Sequence, residues 1–395
     1  MSDLQRDDTL LQNALITGVT LGLPGLSVAL GNATDLLWMG TAGYDDVLRQ
    51  TPVQPNTRFA IGSITKTFVS VVIHQLAGEG KLDLDKTATD YVALPLVHRV
   101  PNAAQATLRQ LLNHTSGVPT WEFQPDWVRR GRGDGMVLGH IWGKTETLPY
   151  ITDDKVKADF APGASYAYSN TNYTFLGLVV EAVTGNEVTA EIRRRILEPL
   201  GMEQTFMESF ESIPGDIAHH YHYATPTFAQ EAGVHRAFPE IRPYIVESTA
   251  ANLSPEWAAG GMVASAGDLV RFARALRDGK LLSPAMQQEM FTYRPPQDRV
   301  PPQAGVPAQT GNNREYMQGI ARSREMHERY PLVGHSGGTL GFSTRMHWLE
   351  GIDLILVVMT NIGTMHSGFT ASPPGLFYER VLLPAAVAYA ETALG

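Results

Sequence analysis

Ser63 and Lys66 stand three residues apart in Ser63-Ile64-Thr65-Lys66, the one S-x-x-K in the chain. On a helix, positions i and i+3 share a face with Cβ atoms roughly 5–6 Å apart, so a Lys66 that has lost its proton can take one from the Ser63 hydroxyl. The apolar residues that follow, Phe68, Val71, Val72 and Leu76, recur at helical spacing as far as Gly78 and Gly80, which puts Ser63 at a helix start. Unpaired N–H groups at such an end favour an alkoxide-like nucleophile and any oxyanion formed beside it. A serine that only caps a helix, with a solvated lysine one turn on, fits the same four residues.

Two further clusters carry suitable chemistry. Tyr168-Ser169-Asn170, the one Y-x-N in the chain, follows the turn residues Ala161-Pro162-Gly163 and precedes a helical run. A phenol beside a cationic amine can ionise below its usual pKa near 10, so Tyr168 could share the base role with Lys66. Asn170, both donor and acceptor, could orient Lys66 and hold a substrate carbonyl. His335-Ser336-Gly337-Gly338, after Tyr330 to Val333 and before Phe342 to Leu349, is consistent with a strand edge facing the Ser63 helix; its glycines let a substrate approach the backbone, and the Gly338 N–H could join that of Ser63 as a two-donor oxyanion hole. The plainer alternatives are a polar loop and a glycine turn.

These residues need a frame. A first helix is expected over residues 10–20, then a strand pair, Gly25 to Leu30 and Asp35 to Tyr44, separated by Gly31-Asn32. Beyond the Ser63 helix the chain reads as helical patches: Leu108 to Leu112, Thr171 to Val183 and Val188 to Leu197. A helix from Ala266 to Leu276 is followed by strands at Met317 to Ala321, Phe342 to Leu349 and Ile352 to Thr360, the last two joined by Glu350-Gly351 as in a hairpin. A helix from Leu376 to about Ala393 closes the chain. The expected fold is α+β: an antiparallel sheet from residues 1–85 and 251–395, flanked by helices, with a mostly helical insertion at 86–250 and the site where the two meet.

The order S-x-x-K, Y-x-N, H-x-G resembles the serine β-lactamase and penicillin-binding D,D-peptidase superfamily, on the branch of class C β-lactamases, D-aminopeptidase-like enzymes and family VIII carboxylesterases. Arg58-Phe59-Ala60-Ile61-Gly62, Leu111-Leu112-Asn113-His114-Thr115-Ser116-Gly117, Ala259-Gly260-Gly261-Met262 and the stretch from Gly334 to Phe342 look similar too, so the likeness spans roughly residues 10–390. It implies a serine hydrolase working through an acyl-enzyme, without metal or organic cofactor. Ser63 would be the nucleophile, Lys66 and Tyr168 its proton carriers, and Asn170 a positioning group; His335 and Gly337 would line the substrate site, and the Ser63 and Gly338 amides would hold the oxyanion. The third motif departs from the β-lactamase pattern in placing His335 where lysine is usual. A neutral imidazole offers only a hydrogen bond, whereas a protonated one could grip an anion. D-configured amides or peptides therefore come first among substrates, simple esters next, β-lactams after them, and a silent ligand-binding homologue is the reading outside enzymes.

Other features bound the answer. The 395 residues suffice for one large composite domain or two, and the absence of cysteine excludes disulfides and thiolate chemistry. A net charge of −9 with no long basic run argues against nucleic acid or anionic membrane as partner and favours a small molecule. No run is long and apolar enough for a membrane span and the start does not read as a secretory signal, so cytoplasmic is the default, with an exported, processed form as the alternative. Oligomeric state is not legible. Gly334 to Gly338 also satisfies G-x-S-x-G, which would make Ser336 a nucleophile if a helix followed it. His219, His220, His222 and His235 lack metal-ligand spacing and read as loop or pocket-lining residues. His114 reads as structural, and Lys144 and Arg129 to Arg132 as solvated charge. The segment Arg294 to Asn313, with five prolines, reads as a loop; Trp121, Trp127 and Trp142 are either a roof over a pocket or core anchors.

Overall fold

Strands that are apolar along their whole length must be covered on both faces. Gly25–Gly31 and Leu354–Thr360 are such strands, with every residue buried. They pair antiparallel at the centre of an eight-stranded sheet, Val28 opposite Val358. From edge to edge the sheet runs Arg314–Tyr316, Ala321–Ser323, Leu332–Gly338, Ser343–Leu349, Leu354–Thr360, Gly25–Gly31, Leu36–Asp46 and Thr51–Pro52. The computed structural model describes residues 8–297 and 314–394, so most of the proline-rich stretch lies outside the described residues.

Two apolar layers sandwich the sheet. On one face Leu332, Leu356 and Val358 pack against the helix Thr9–Thr20 and the C-terminal helical run 373–394. On the other, Val333, Met346, Val357 and Met359 meet the helices Thr65–Gly78 and Ala266–Arg277 and the helical middle of the chain. The fold is therefore the expected α+β arrangement, an antiparallel sheet flanked by helices.

Several boundaries differ from expectation. Met317 to Ala321 is not a strand: residues 317–320 form the turn between Arg314–Tyr316 and Ala321–Ser323, closed by Met317 N–H donating to the Ile320 carbonyl at 2.8 Å, with Gly319 at φ +76°. Burial of Met317 and Ile320 made a turn look like a strand. The helix expected from Val188 is Val188–Ile192 continued by a wide turn, Arg193–Leu197. The middle of the chain also holds short strands, among them Tyr221–Tyr223 and Ile245–Glu247.

Candidate active site

Ser63 sits in a single tight turn, Gly62–Ile64, that runs straight into the helix Thr65–Gly78. Gly62 has φ +49°, and a Cβ there would stand 2.6 Å from the Gly338 nitrogen. Glycine alone lets the chain bring Ser63 so close to the strand Leu332–Gly338. One turn on, Lys66 is fully buried, with Nζ 3.0 Å from Ser63 Oγ and 2.6 Å from the Ala259 carbonyl oxygen. Burial lowers its pKa to about 7, against the opposing pull of the Glu122 and Glu256 carboxylates. An amine that loses its proton around neutrality, within hydrogen-bond reach of a hydroxyl, can act as its base.

The second motif is held by the turn around His114. His114 is buried at φ +60°; its carbonyl accepts from Ala167 N–H, and its Nδ1 lies 3.1 Å from both Ser169 N and Asn172 Nδ2. Asn172 in turn accepts from Ser116 Oγ at 2.8 Å, and Asn170 N–H reaches Thr120 Oγ1 at 3.2 Å. The loop 113–120 thus templates residues 167–172. Tyr168 lies over the Lys66 amine, 4.9 Å from Nζ to ring centroid. Its hydroxyl is closed off from solvent, and Ser63 is the group whose hydrogen bonding favours its ionisation. The expected ionised phenol is corrected here: burial first, then the neighbouring Tyr316, push the Tyr168 pKa well above its ordinary value. Tyr168 is therefore a neutral phenol at rest. Asn170 gives its amide to Glu122, and its Oδ1 is buried without a hydrogen-bond partner.

The third motif lies on a strand, as expected, and not in a glycine turn. Along Leu332–Gly338 the side chains alternate, so His335 and Gly337 face the Ser63 helix while Ser336 and Gly338 face the other side. A Cβ on Gly337 would fall 1.8 Å from the Ile61 carbonyl oxygen and 3.0 Å from Ser63 N, and the adjoining Thr344 hydroxyl donates to the Ala60 carbonyl at 2.9 Å. These contacts set the Gly338 and Ser63 backbones side by side. His335 Nδ1 lies 2.6 Å from the Ser336 carbonyl, so that nitrogen carries a proton; Nε2 lies 2.9 Å from the Tyr316 hydroxyl. Both ring nitrogens are engaged by the protein. Ser336, on the far face and followed by a second strand, Ser343–Leu349, lacks the helix that the G-x-S-x-G reading required.

Glu122, Glu256 and Arg132 are site components that no motif flagged. Glu122 is buried next to Asn170, and desolvation raises its pKa despite the Lys66 and Arg132 charges, which lower it. Arg132 is 1% exposed and pairs with buried Glu256. The expectation of solvated charge is thus wrong for Arg132, and for Lys144, which is partly buried against Glu181 and Glu187. Trp121 and Trp127 are fully buried with ring centroids 4.5 Å apart and Trp142 packs on them, so these are core anchors and not a roof. His220 and His222 are buried, and desolvation takes both to about 3. No cluster of three potential metal ligands occurs among the described residues. No described helix is long and apolar enough to cross a membrane.

With this sheet, this helix and these three motifs in place, the chain belongs to the Beta-lactamase family, whose pattern matches residues 11–373. Its fold is similar to that of the D-amino acid amidase from Ochrobactrum anthropi SV3 complexed with D-phenylalanine, at TM-score 0.79 and 25% identity over 98% of this chain and 99% of that one. It is also similar to a D-stereospecific amidohydrolase from Streptomyces sp., at TM-score 0.73 and 28% identity over 90% and 95% of the two chains. Among curated proteins, PbpX of Bacillus subtilis, named for penicillin binding, is 28% identical over 69% of this chain and 59% of its own length. Protein flp of Staphylococcus aureus is 28% identical over 57% and 43%. The chain spans about half the length of these curated relatives.

Proposed function

We propose that this protein is a serine hydrolase of small amides, with D-amino acid amides or short D-peptides as its best substrates and simple esters next. The observation that carries the chemistry is the fully buried Lys66 amine, 3.0 Å from Ser63 Oγ and held near neutrality by burial. Neutral Lys66 takes the Ser63 proton as Oγ attacks the carbonyl carbon; the oxyanion is received by the Ser63 and Gly338 N–H groups. Tyr168 gives its phenolic proton to the leaving nitrogen as the C–N bond breaks and recovers one from Lys66, which returns both groups to their resting state. Water, losing a proton to the same amine, then attacks the ester carbonyl, and Lys66 passes that proton to Ser63 Oγ as the C–O bond breaks and the acid leaves.

Two features support an amino amide. Glu122 is a buried carboxylate that gains from a cationic partner, which a substrate α-ammonium supplies. His335, with both nitrogens engaged by the Ser336 carbonyl and the Tyr316 hydroxyl, is not positioned as a lysine would be for the carboxylate of a β-lactam. The likeness to enzymes named for D-stereospecific amide hydrolysis agrees with this ordering.

The test is a panel of D- and L-aminoacyl p-nitroanilides, D-dipeptides, p-nitrophenyl esters and nitrocefin. D-anilides turned over faster than L-anilides and nitrocefin are expected; rapid nitrocefin turnover with inert anilides would overturn the proposal.

A further inference from the structure

Lys66 can serve Ser63 only while something fixes its nitrogen from behind. That acceptor is the Ala259 carbonyl, 2.6 Å away, and it belongs to the short helical turn Trp257–Gly260. The turn is strained: Trp257 has φ +35°, a conformation that a bulky residue adopts only when its surroundings impose it.

What imposes it is buried charge. Glu256, the residue before the turn, lays its side chain over Gly260, where a Cβ would stand 3.2 Å from Glu256 Cγ. Its carboxylate meets Arg132, which ends the helix Pro125–Arg132. The Arg132 guanidinium lies 5.0 Å from the Trp127 ring centroid and touches Met365 Sδ at 3.8 Å. Arg132 therefore reaches from the middle of the chain to the turn that carries the Lys66 acceptor.

The groups facing this assembly are few. Lys66 meets Glu122, Glu256 and the rings of Tyr168 and Tyr173. Glu256 meets Arg132 and, further off, Glu208; Arg132 also faces Glu122, His222 and His366. The two histidines are held neutral by burial. Lys66, Arg132, Glu122 and Glu256 thus share one water-excluded region, and of these only Arg132 keeps its charge at any working pH.

We infer that Arg132 and Glu256 are positioning residues: their buried ion pair holds the strained turn Trp257–Gly260 so that the Ala259 carbonyl meets Lys66 Nζ. This rests on the reading that Lys66 serves Ser63. Neither residue touches the reacting atoms, and a purely structural role would be satisfied by any well-packed replacement.

The experiment follows Lys66 directly by NMR of ¹³C-lysine-labelled intact protein as pH is raised, alongside the rate at which a fluorophosphonate modifies Ser63. In Glu256→Gln, which keeps shape and removes a negative charge, the Lys66 midpoint is expected to fall by about one unit. Arg132→Lys is expected to recover most of the phosphonylation rate. The double variant Arg132→Met/Glu256→Met, whose apolar pair keeps the fold, is expected to melt like the wild type yet phosphonylate at least about tenfold more slowly. A Glu256→Gln protein in which Lys66 titrates as in the wild type, or a double variant that reacts at the wild-type rate, would overturn the inference. If wild-type Ser63 takes no label, the functional reading fails, while the Lys66 titration and the Lys66–Ala259 separation in a crystal structure of the double variant still decide this one.

Discussion

A lysine sealed from water gives up its proton at a pH where an exposed one would hold it, and that sets the pH at which Ser63 reacts. In the proposed mechanism Lys66 works only as the free amine. Below its pKa of about 7 the reactive fraction falls tenfold per unit, so kcat/KM should rise with pH on the acid side and level off above about 7. Exposed lysine chemistry would instead still be rising at far higher pH. Lys66→Arg keeps the charge but removes the base, and a loss of about 10³-fold or more in acylation is expected from burst kinetics. Tyr168→Phe removes a donor and not a base, so it should cost amides, whose leaving nitrogen needs a proton, about 10²-fold, and p-nitrophenyl esters much less. Equal losses on both substrates would contradict the donor role. Ser63, Lys66 and Tyr168 were legible because their spacing is chemical. The charge state of Tyr168 was not, since desolvation depends on what the rest of the chain stacks over it.

At the scale of elements, the site exists because a helix start and a strand touch at glycines. A methyl group on Gly337 would collide with the Ile61 carbonyl, 1.8 Å away, and backbone cannot swing aside as a side chain can. Gly337→Ala should therefore push the strand from the Ser63 turn and abolish labelling of Ser63 while most of the sheet survives, as circular dichroism would report. Unchanged labelling would mean that the strand plays no part. His114 makes the matching point for the other motif: His114→Ala strips partners from Ser169 N and Asn172, each a buried group whose loss costs about 1–3 kcal/mol, and Tyr168 loses its support. A fall in melting temperature together with a fall in kcat is expected. The sequence identified these strands and helices by period and put the H-x-G glycines on a strand edge facing the Ser63 helix, but it misread the 317–320 turn because burial there mimics a strand.

Across the whole molecule, two apolar layers clamp one sheet, and the helical middle of the chain delivers Tyr168, Asn170, Glu122 and Arg132 to a helix start rooted in the other layer. Motif order revealed that convergence for Tyr168 and Asn170. It was silent on Glu122, Glu256 and Arg132, which lie outside the three motifs and whose partnership is made by folding alone. The tryptophan cluster shows the same limit: three tryptophans near a glycine-rich stretch were compatible with a roof, and only burial assigned them to the core. Trp127→Ala should cost about 3–5 kcal/mol, read as a shifted denaturant midpoint. The central claim concerns one oxygen atom, and peptide mapping by mass spectrometry after fluorophosphonate treatment addresses it most directly. The account predicts a single adduct on Ser63, absent in Ser63→Ala and in Lys66→Met; an adduct on Ser336, or on any other residue with Ser63 unmodified, would contradict it.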